Sequence, residues 1–192
     1  MTPEQDSGGA IARVATLEPT TIPGIFRHYL RDLIYGANDG LVTTFAVVAG
    51  VTGGDLSARV VLILGLSNLL ADGFSMGASN YLSIRSHEAA REAEGLDIEE
   101  THAIRHGAAT FGAFILAGAV PLLAYLLPAG IADRFASATV FTLATMFGVG
   151  ATRALVTERR WWTSGCEMLA VGAAAAAVAY GVGAAAAALS AG

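Results

Sequence analysis

The sequence predicts an all-α membrane protein that crosses the bilayer five times. Three observations carry that prediction. Hydrophobic residues make up 54% of the 192 positions and charged residues only 14%, against roughly 25% charged in an ordinary soluble domain. Mean hydropathy is +0.57, so lipid rather than a charged shell must cover much of the surface. Apolar stretches of about 20 residues, the length that spans a bilayer, recur along the chain, and no sustained two-residue alternation competes with them. The net charge of -5 argues against nucleic acid as a partner. A single cysteine, Cys166, leaves no intrachain disulfide and no multi-cysteine zinc site. It reads as a small buried residue.

Residues 1–24 carry Gly, Pro, Thr, acids and Arg13 without an apolar core, which reads as a disordered tail and not as a cleaved signal. Residues 25–192 form one transmembrane domain, with spans at about 33–52, 60–82, 107–127, 135–156 and 165–189. All are rich in Gly and Ala, as closely packed membrane helices are. Pro121 is expected to kink the third span. Alanine runs at 173–177 and 184–188 suit tight contact in the fifth. Segments 51–57 and 128–133 are short turns, and the long polar connection is 83–106. That connection reads as two helical pieces broken at Gly95. The second piece would place Glu99, His102 and His106 on one face at i, i+3 and i+7.

All 11 basic residues are arginine. Arg13, Arg27, Arg31, Arg85, Arg91, Arg105, Arg153, Arg159 and Arg160 fall on one side of the predicted topology, and Arg59 and Arg134 on the other. The positive-inside rule puts the richer side, with the N-terminus, in the cytoplasm and the C-terminus outside. A prokaryotic inner membrane is the expected location, given the short turns and the lack of a recognisable targeting segment.

Carboxylates inside spans are costly and face a cavity or a partner. The first span carries Asp39, with Asp32 two helical turns earlier and Thr43 one turn later. Gly36 and Gly40 beside it form a Gly-x-x-x-Gly pair that lets another backbone come close. The second span carries Asn68, Asp72, Met76 and Asn80 at intervals of four, one slanted stripe drifting by roughly 40° per step. Oxygen ligands suit any hard divalent ion, and a thioether favours softer transition metals. Methionine on its own is usually core filler; its place between Asp72 and Asn80 favours a ligand. Glu167 in the fifth span either lines an entrance or binds a helix terminus or Arg153. In the connection, Glu88, Glu92, Glu99, Glu100, His102 and His106 are either a solvated acidic surface or a cation-collecting vestibule. There is no Gly-x-Ser-x-Gly, phosphate loop or His-Glu-x-x-His, so no catalytic arrangement emerges. With no ATP-binding motif, transport would be secondary and need no cofactor.

Asp-Leu-Ile-Tyr-Gly-Ala-Asn-Asp-Gly-Leu-Val-Thr-Thr at 32–44 and Gly-Leu-Ser-Asn-Leu-Leu-Ala-Asp-Gly-Phe-Ser-Met-Gly-Ala-Ser-Asn at 65–80 closely resemble the first two helices of the vacuolar iron transporter family, which includes the calcium-cross-complementer proteins. His-Gly-Ala-Ala-Thr-Phe-Gly-Ala-Phe at 106–114 and Ser-Gly-Cys-Glu-Met-Leu-Ala-Val-Gly at 164–172 support it, and the resemblance covers about 27–185. It implies five membrane helices, a homodimer, and a path for Fe(II) or Mn(II) near the dimer interface. It also implies proton-coupled export from the cytoplasm. Asp39, Asp72 and Met76 match the family's ion-path motifs, and Asp32 and Asn68 extend the same faces. The chain departs from many members in lacking a long Glu/Met-rich helical insertion between the second and third helices.

The expected mechanism draws the ion in past Glu88, Glu92, Glu99 and Glu100 and dehydrates it onto Asp72, Met76 and Asn80. Asp39 then completes the site and exchanges a proton, with Asp32 and Glu167 at the pore entrance. Two rival readings are a proton-coupled permease for another small solute and a non-transporting membrane scaffold.

Overall fold

The computed structural model describes residues 21–127, 133–154 and 160–191. Arg13, Arg159, the tail to residue 20 and most of the turn 128–133 lie outside the described residues. Six helices occupy the rest: α1 Ile22–Gly53, α2 Ala58–Ala93, α3 Ala103–Gly118, α4 Val120–Leu126, α5 Arg134–Thr152 and α6 Trp161–Ser190. No strand occurs among the described residues. Five helical stretches are long and apolar enough to cross a membrane, with α3 and α4 together forming the third. The chain is an all-α integral membrane protein.

Two helices run well past their apolar windows. α1 starts at Ile22 because Thr21 caps it, its hydroxyl accepting from the Gly24 amide at 3.4 Å. The turns that follow are polar but still helical, and they bury Leu30 and Asp32. Hydropathy registers the apolar window and not the helix, which explains the shorter range expected from sequence. α2 likewise continues through Ser86 and Arg91 to Ala93 and stops at Gly95, whose φ of +73° suits glycine.

The second helical piece expected in the connection forms only from Ala103 onwards. Residues 96–102 follow a non-helical path until α3 begins at Ala103. Side chains take over the backbone's hydrogen bonds there. Glu88 accepts from the amides of Glu99 (3.0 Å) and Glu100 (3.2 Å), and Arg91 donates twice to the Asp97 carbonyl (3.0 and 2.8 Å). Glu99, His102 and His106 therefore do not share a helix face. Pro121 does interrupt the third span, which breaks at Ala119 between α3 and α4.

α1 is the centre of the bundle and touches every other helix. Gly36 and Gly40 seat it directly on α3: a Cβ on either would strike the backbone of Thr110 or Phe114. Gly118 of α3 returns the contact against the Gly40 carbonyl. At the opposite end Gly53 and Gly183 bring α1 equally close to α6. Leu41, Phe45, Val48 and Phe114 fill the space between. α2 packs on α3 and leaves much of its length uncovered, with Leu70 and Phe74 exposed. α6 is also a peripheral helix, exposing Val171, Val178 and Val182. Cys166 lies exposed on it, and not buried as the sequence suggested. A thiol is apolar enough for a lipid-facing position, so hydropathy alone could not choose between the two.

Gly40→Leu should lower the melting temperature in detergent sharply, because overpacking of a tight contact costs about 1–3 kcal/mol and here the obstacle is backbone. Gly148→Ala, whose added methyl meets nothing within 4 Å, should leave it unchanged or slightly raised. Tryptophan fluorescence melts of the two variants check both.

Candidate functional site

The polar residues singled out from the sequence separate into two neighbouring groups. The first is a buried network where α1, α2, α3 and the connection meet. Asp32 of α1 is 7% exposed and lies at its centre. The Asn80 amide donates to Asp32 Oδ1 (2.8 Å) and to the Thr110 hydroxyl oxygen (2.7 Å). Thr110 in turn donates to the His106 carbonyl at 3.0 Å. The other Asp32 oxygen, Oδ2, stands 2.5 Å from His106 Nδ1, and His106 Nε2 stands 3.0 Å from Glu100 Oε2. His28 Nε2 reaches the same Glu100 oxygen at 3.1 Å. Tyr29 covers the group, its ring 4.6 Å from that of His106 and 4.8 Å from that of His28.

Local structure positions each member. His28 and Asp32 are one turn apart on α1, and His106 and Thr110 one turn apart on α3. The glycine contact between α1 and α3 brings these two faces together. Glu100 arrives from the non-helical connection, held through its own amide by Glu88 and through Oε1 by the His102 amide at 2.8 Å. Burial pushes the Glu100 carboxyl pKa up. The His102 amide, the hydrogen bond from His106 and the charges of His106 and His28 outweigh that and hold it below the ordinary value.

The second group is the stripe on α2 with Asp39. Asp39 is half-buried, and Asp72 across from it is exposed on the uncovered face of α2; the two carboxylates lie within range of each other's charge. Met76 and Asn68 are half-buried, and Met76 also packs against the core around Phe114 and Leu69. Thr43 donates back to the Asp39 carbonyl at 2.8 Å, so its hydroxyl hydrogen is engaged within α1. Asn80, at the end of the stripe, belongs to both groups.

The remaining predicted residues are more scattered. Glu167 sits with Arg27, Arg31, Asn38 and Arg153 around a cleft of about 640 Å³ between α1 and α6. Its carboxylate is 3.8 Å from Arg153, a loose and largely exposed pair. Glu92 is exposed on the extension of α2. Glu99 pairs with Arg91 at 2.9 Å. Glu88 lies near His87 and Glu99 in an open surface group, with its carboxylate engaged by two amides. His102 Nδ1 lies 2.9 Å from the Thr101 hydroxyl, and its amide donates to Glu100. Sequence reasoning missed His28, Tyr29 and Thr110. The i, i+4 spacing of His28 and Asp32 was the available signal, but it precedes the apolar window that defined the first span.

A protein-family model described as the VIT family matches residues 30–100 and 88–184, two pieces that meet in the connection. A vacuolar iron transporter of Toxoplasma gondii is 48% identical over 66 residues, covering 34% of this chain and 22% of that protein. Vacuolar iron transporter 1 of Arabidopsis thaliana is 26% identical over 79% of this chain and 83% of the relative. Vacuolar iron transporter 2 of Oryza sativa subsp. japonica is 26% identical over 79% and 85%.

Two predictions follow from the buried network. Asn80→Ala removes the donor to buried Asp32 and to Thr110 and should cost about 1–3 kcal/mol of stability, read from detergent melts. The Glu100 pKa is lower in the folded chain than its ordinary 4.5. Its carboxylate therefore contributes stability that is complete above that pH and is lost as pH falls through the folded value. Melting temperature should drop over that acid range in the native chain, and Glu100→Gln should flatten the drop.

Proposed function

The chain belongs to the VIT family, and from that premise we propose that it is a secondary transporter carrying Fe(II), Mn(II) or both out of the cytoplasm in exchange for protons. The observation that carries this reading is that Asp39 of α1 lies within range of the charge of Asp72, which is exposed on the α2 stripe that also holds the half-buried Asn68 and Met76. A charged group facing hydrocarbon costs several kcal/mol, so an exposed Asp72 calls for a covering surface. A second copy of the chain, packed along α2, supplies it and gives a homodimer with the ion path between the subunits.

Within that path the ion exchanges water for the carboxylates of Asp39 and Asp72 and the sulfur of Met76. Oxygen ligands provide charge, and the thioether biases the site towards transition metals over magnesium and calcium. Each carboxylate's charge disfavours ionisation of the other and a bound cation relieves this, so ion release favours proton uptake. One pair of side chains can thereby couple the two fluxes. The acidic surface of the connection, with Glu92 and Glu99 exposed, raises the cation concentration at the cytoplasmic mouth. Asp32 and Asn80 stand between that mouth and the stripe. Glu167 borders the separate cleft beside α6, where it serves an entrance role only if that cleft is wetted.

Purified protein in proteoliposomes should move Fe(II) or Mn(II) down an opposing proton gradient. Asp39→Ala and Asp72→Ala should each cut the rate at least tenfold, and Met76→Leu should narrow the preference for Fe(II) over Ca(II). Wild-type rates in both aspartate variants would remove the proposed path. Flux indifferent to competing Fe(II), Mn(II) and Co(II) would point to a permease for another solute, and no flux at all to a scaffold.

A further inference from the structure

We propose that His28, Glu100 and His106 form a fixed binding site for one divalent transition-metal ion, separate from the stripe on α2, which ties the connection to α1 and α3. It rests on the transporter reading only for the identity of the ion.

Three residues converge: His28, His106 and Glu100 each offer one ligand atom within 4.8 Å of the others. His28 Nε2 and His106 Nε2 stand 3.1 and 3.0 Å from Glu100 Oε2. Two donor atoms bound at right angles to one ion at about 2.1 Å are themselves about 3.0 Å apart, which is the separation each nitrogen has from the Glu100 oxygen. Two imidazoles and a carboxylate with open positions are the donor set that suits Fe(II) and its neighbours.

The supporting residues favour a cation over a simple ion pair. Asp32 Oδ2 engages His106 Nδ1, so a neutral ring that keeps its proton there presents the Nε2 lone pair to an ion shared with Glu100. Asp32 is itself oriented by Asn80. This carboxylate–histidine arrangement is the usual second layer around a metal. His28 offers an independent sign. Its Nε2 is shut off from solvent and makes no hydrogen bond of acceptable angle among the described residues, although Glu100 is near. Lone pairs facing one carboxylate oxygen repel unless a positive charge lies among them. A bound ion supplies that charge at neutral pH without requiring two protonated histidines.

The site joins three parts of the chain. His28 comes from the first turns of α1, His106 from the first turn of α3, and Glu100 from the non-helical connection, whose amides are clamped to α2 by Glu88. Filling it should therefore order the connection. His102 contributes its backbone amide to Glu100 Oε1 and places its ring Nδ1 against the Thr101 hydroxyl.

The test is a Co(II) titration of the full chain in detergent at neutral pH, read by visible absorption, with Mn(II) pulsed EPR to detect imidazole nitrogen. The expected result is a nitrogen-coordinated site that is lost, or weakened at least a hundredfold, in His28→Ala and in Glu100→Gln. It should be intact in His102→Ala and in Asp72→Asn. Asp32→Asn, which touches no ion, should weaken binding by about 10- to 100-fold. Hydrogen exchange at the amides of residues 99–102 should slow on adding Co(II) to the native chain and not to His28→Ala. Should His28→Ala fail to fold, His28→Gln and Glu100→Gln decide the matter. Binding unchanged in His28 and Glu100 variants, or a bound Mn(II) without nitrogen couplings, overturns the site. Transport abolished by Asp39→Ala with the Co(II) spectrum preserved would support two separate sites, and nitrogen-coordinated Co(II) binding in a chain with no flux would defeat the transporter reading alone.

Discussion

The seating of α1 directly on α3 is the contact on which the rest of the molecule depends. Gly36, Gly40 and Gly118 remove the side chains that would hold the two helices apart. In lipid, where association gains little from the hydrophobic effect, such close backbone packing is a principal attraction between helices. It also sets distances at the polar end. Asp32 and His106 meet because α1 and α3 lie side by side there, and Asn80 joins them because Gly77 and Gly107 bring α2 close as well. The glycine positions therefore determine the geometry of residues they do not touch.

The molecule places its polar chemistry in two settings of unlike character. Around Asp32 nearly every donor and acceptor has a protein partner, as buried groups require. Around Asp72 the chain offers a carboxylate on an open face. A satisfied network holds shape, whereas an unsatisfied carboxylate in hydrocarbon calls for a neighbour or a charge. Asn80 is the residue where these two settings join.

Much of this was legible in the sequence. Five apolar windows gave five spans, Pro121 marked the break in the third, and the Gly36–Gly40 pair marked a close helix contact. The four-residue spacing picked out the α2 stripe. Two things escaped. The helices extend into polar sequence, where hydropathy is silent, so His28 fell outside the first predicted span although it lies in α1. The break at Gly95 and the helix before it were legible, but residues 96–102 were expected to be helical. Glu88 and Arg91, by binding their backbone, hold them in a different path. Local propensity could not foresee that, since the competing partners sit up to twelve residues away in sequence.

The length of α2 has a mechanical consequence. Its 36 residues extend about 54 Å, against about 30 Å of hydrocarbon. It is therefore a rigid mast, with Asp72 near mid-height and Glu88 and Arg91 at the masthead. A helix without a Pro or bulge bends only gently along its length. Any shift of the segment moored to the masthead is passed down the shaft as tilt or twist at the depth of Asp72.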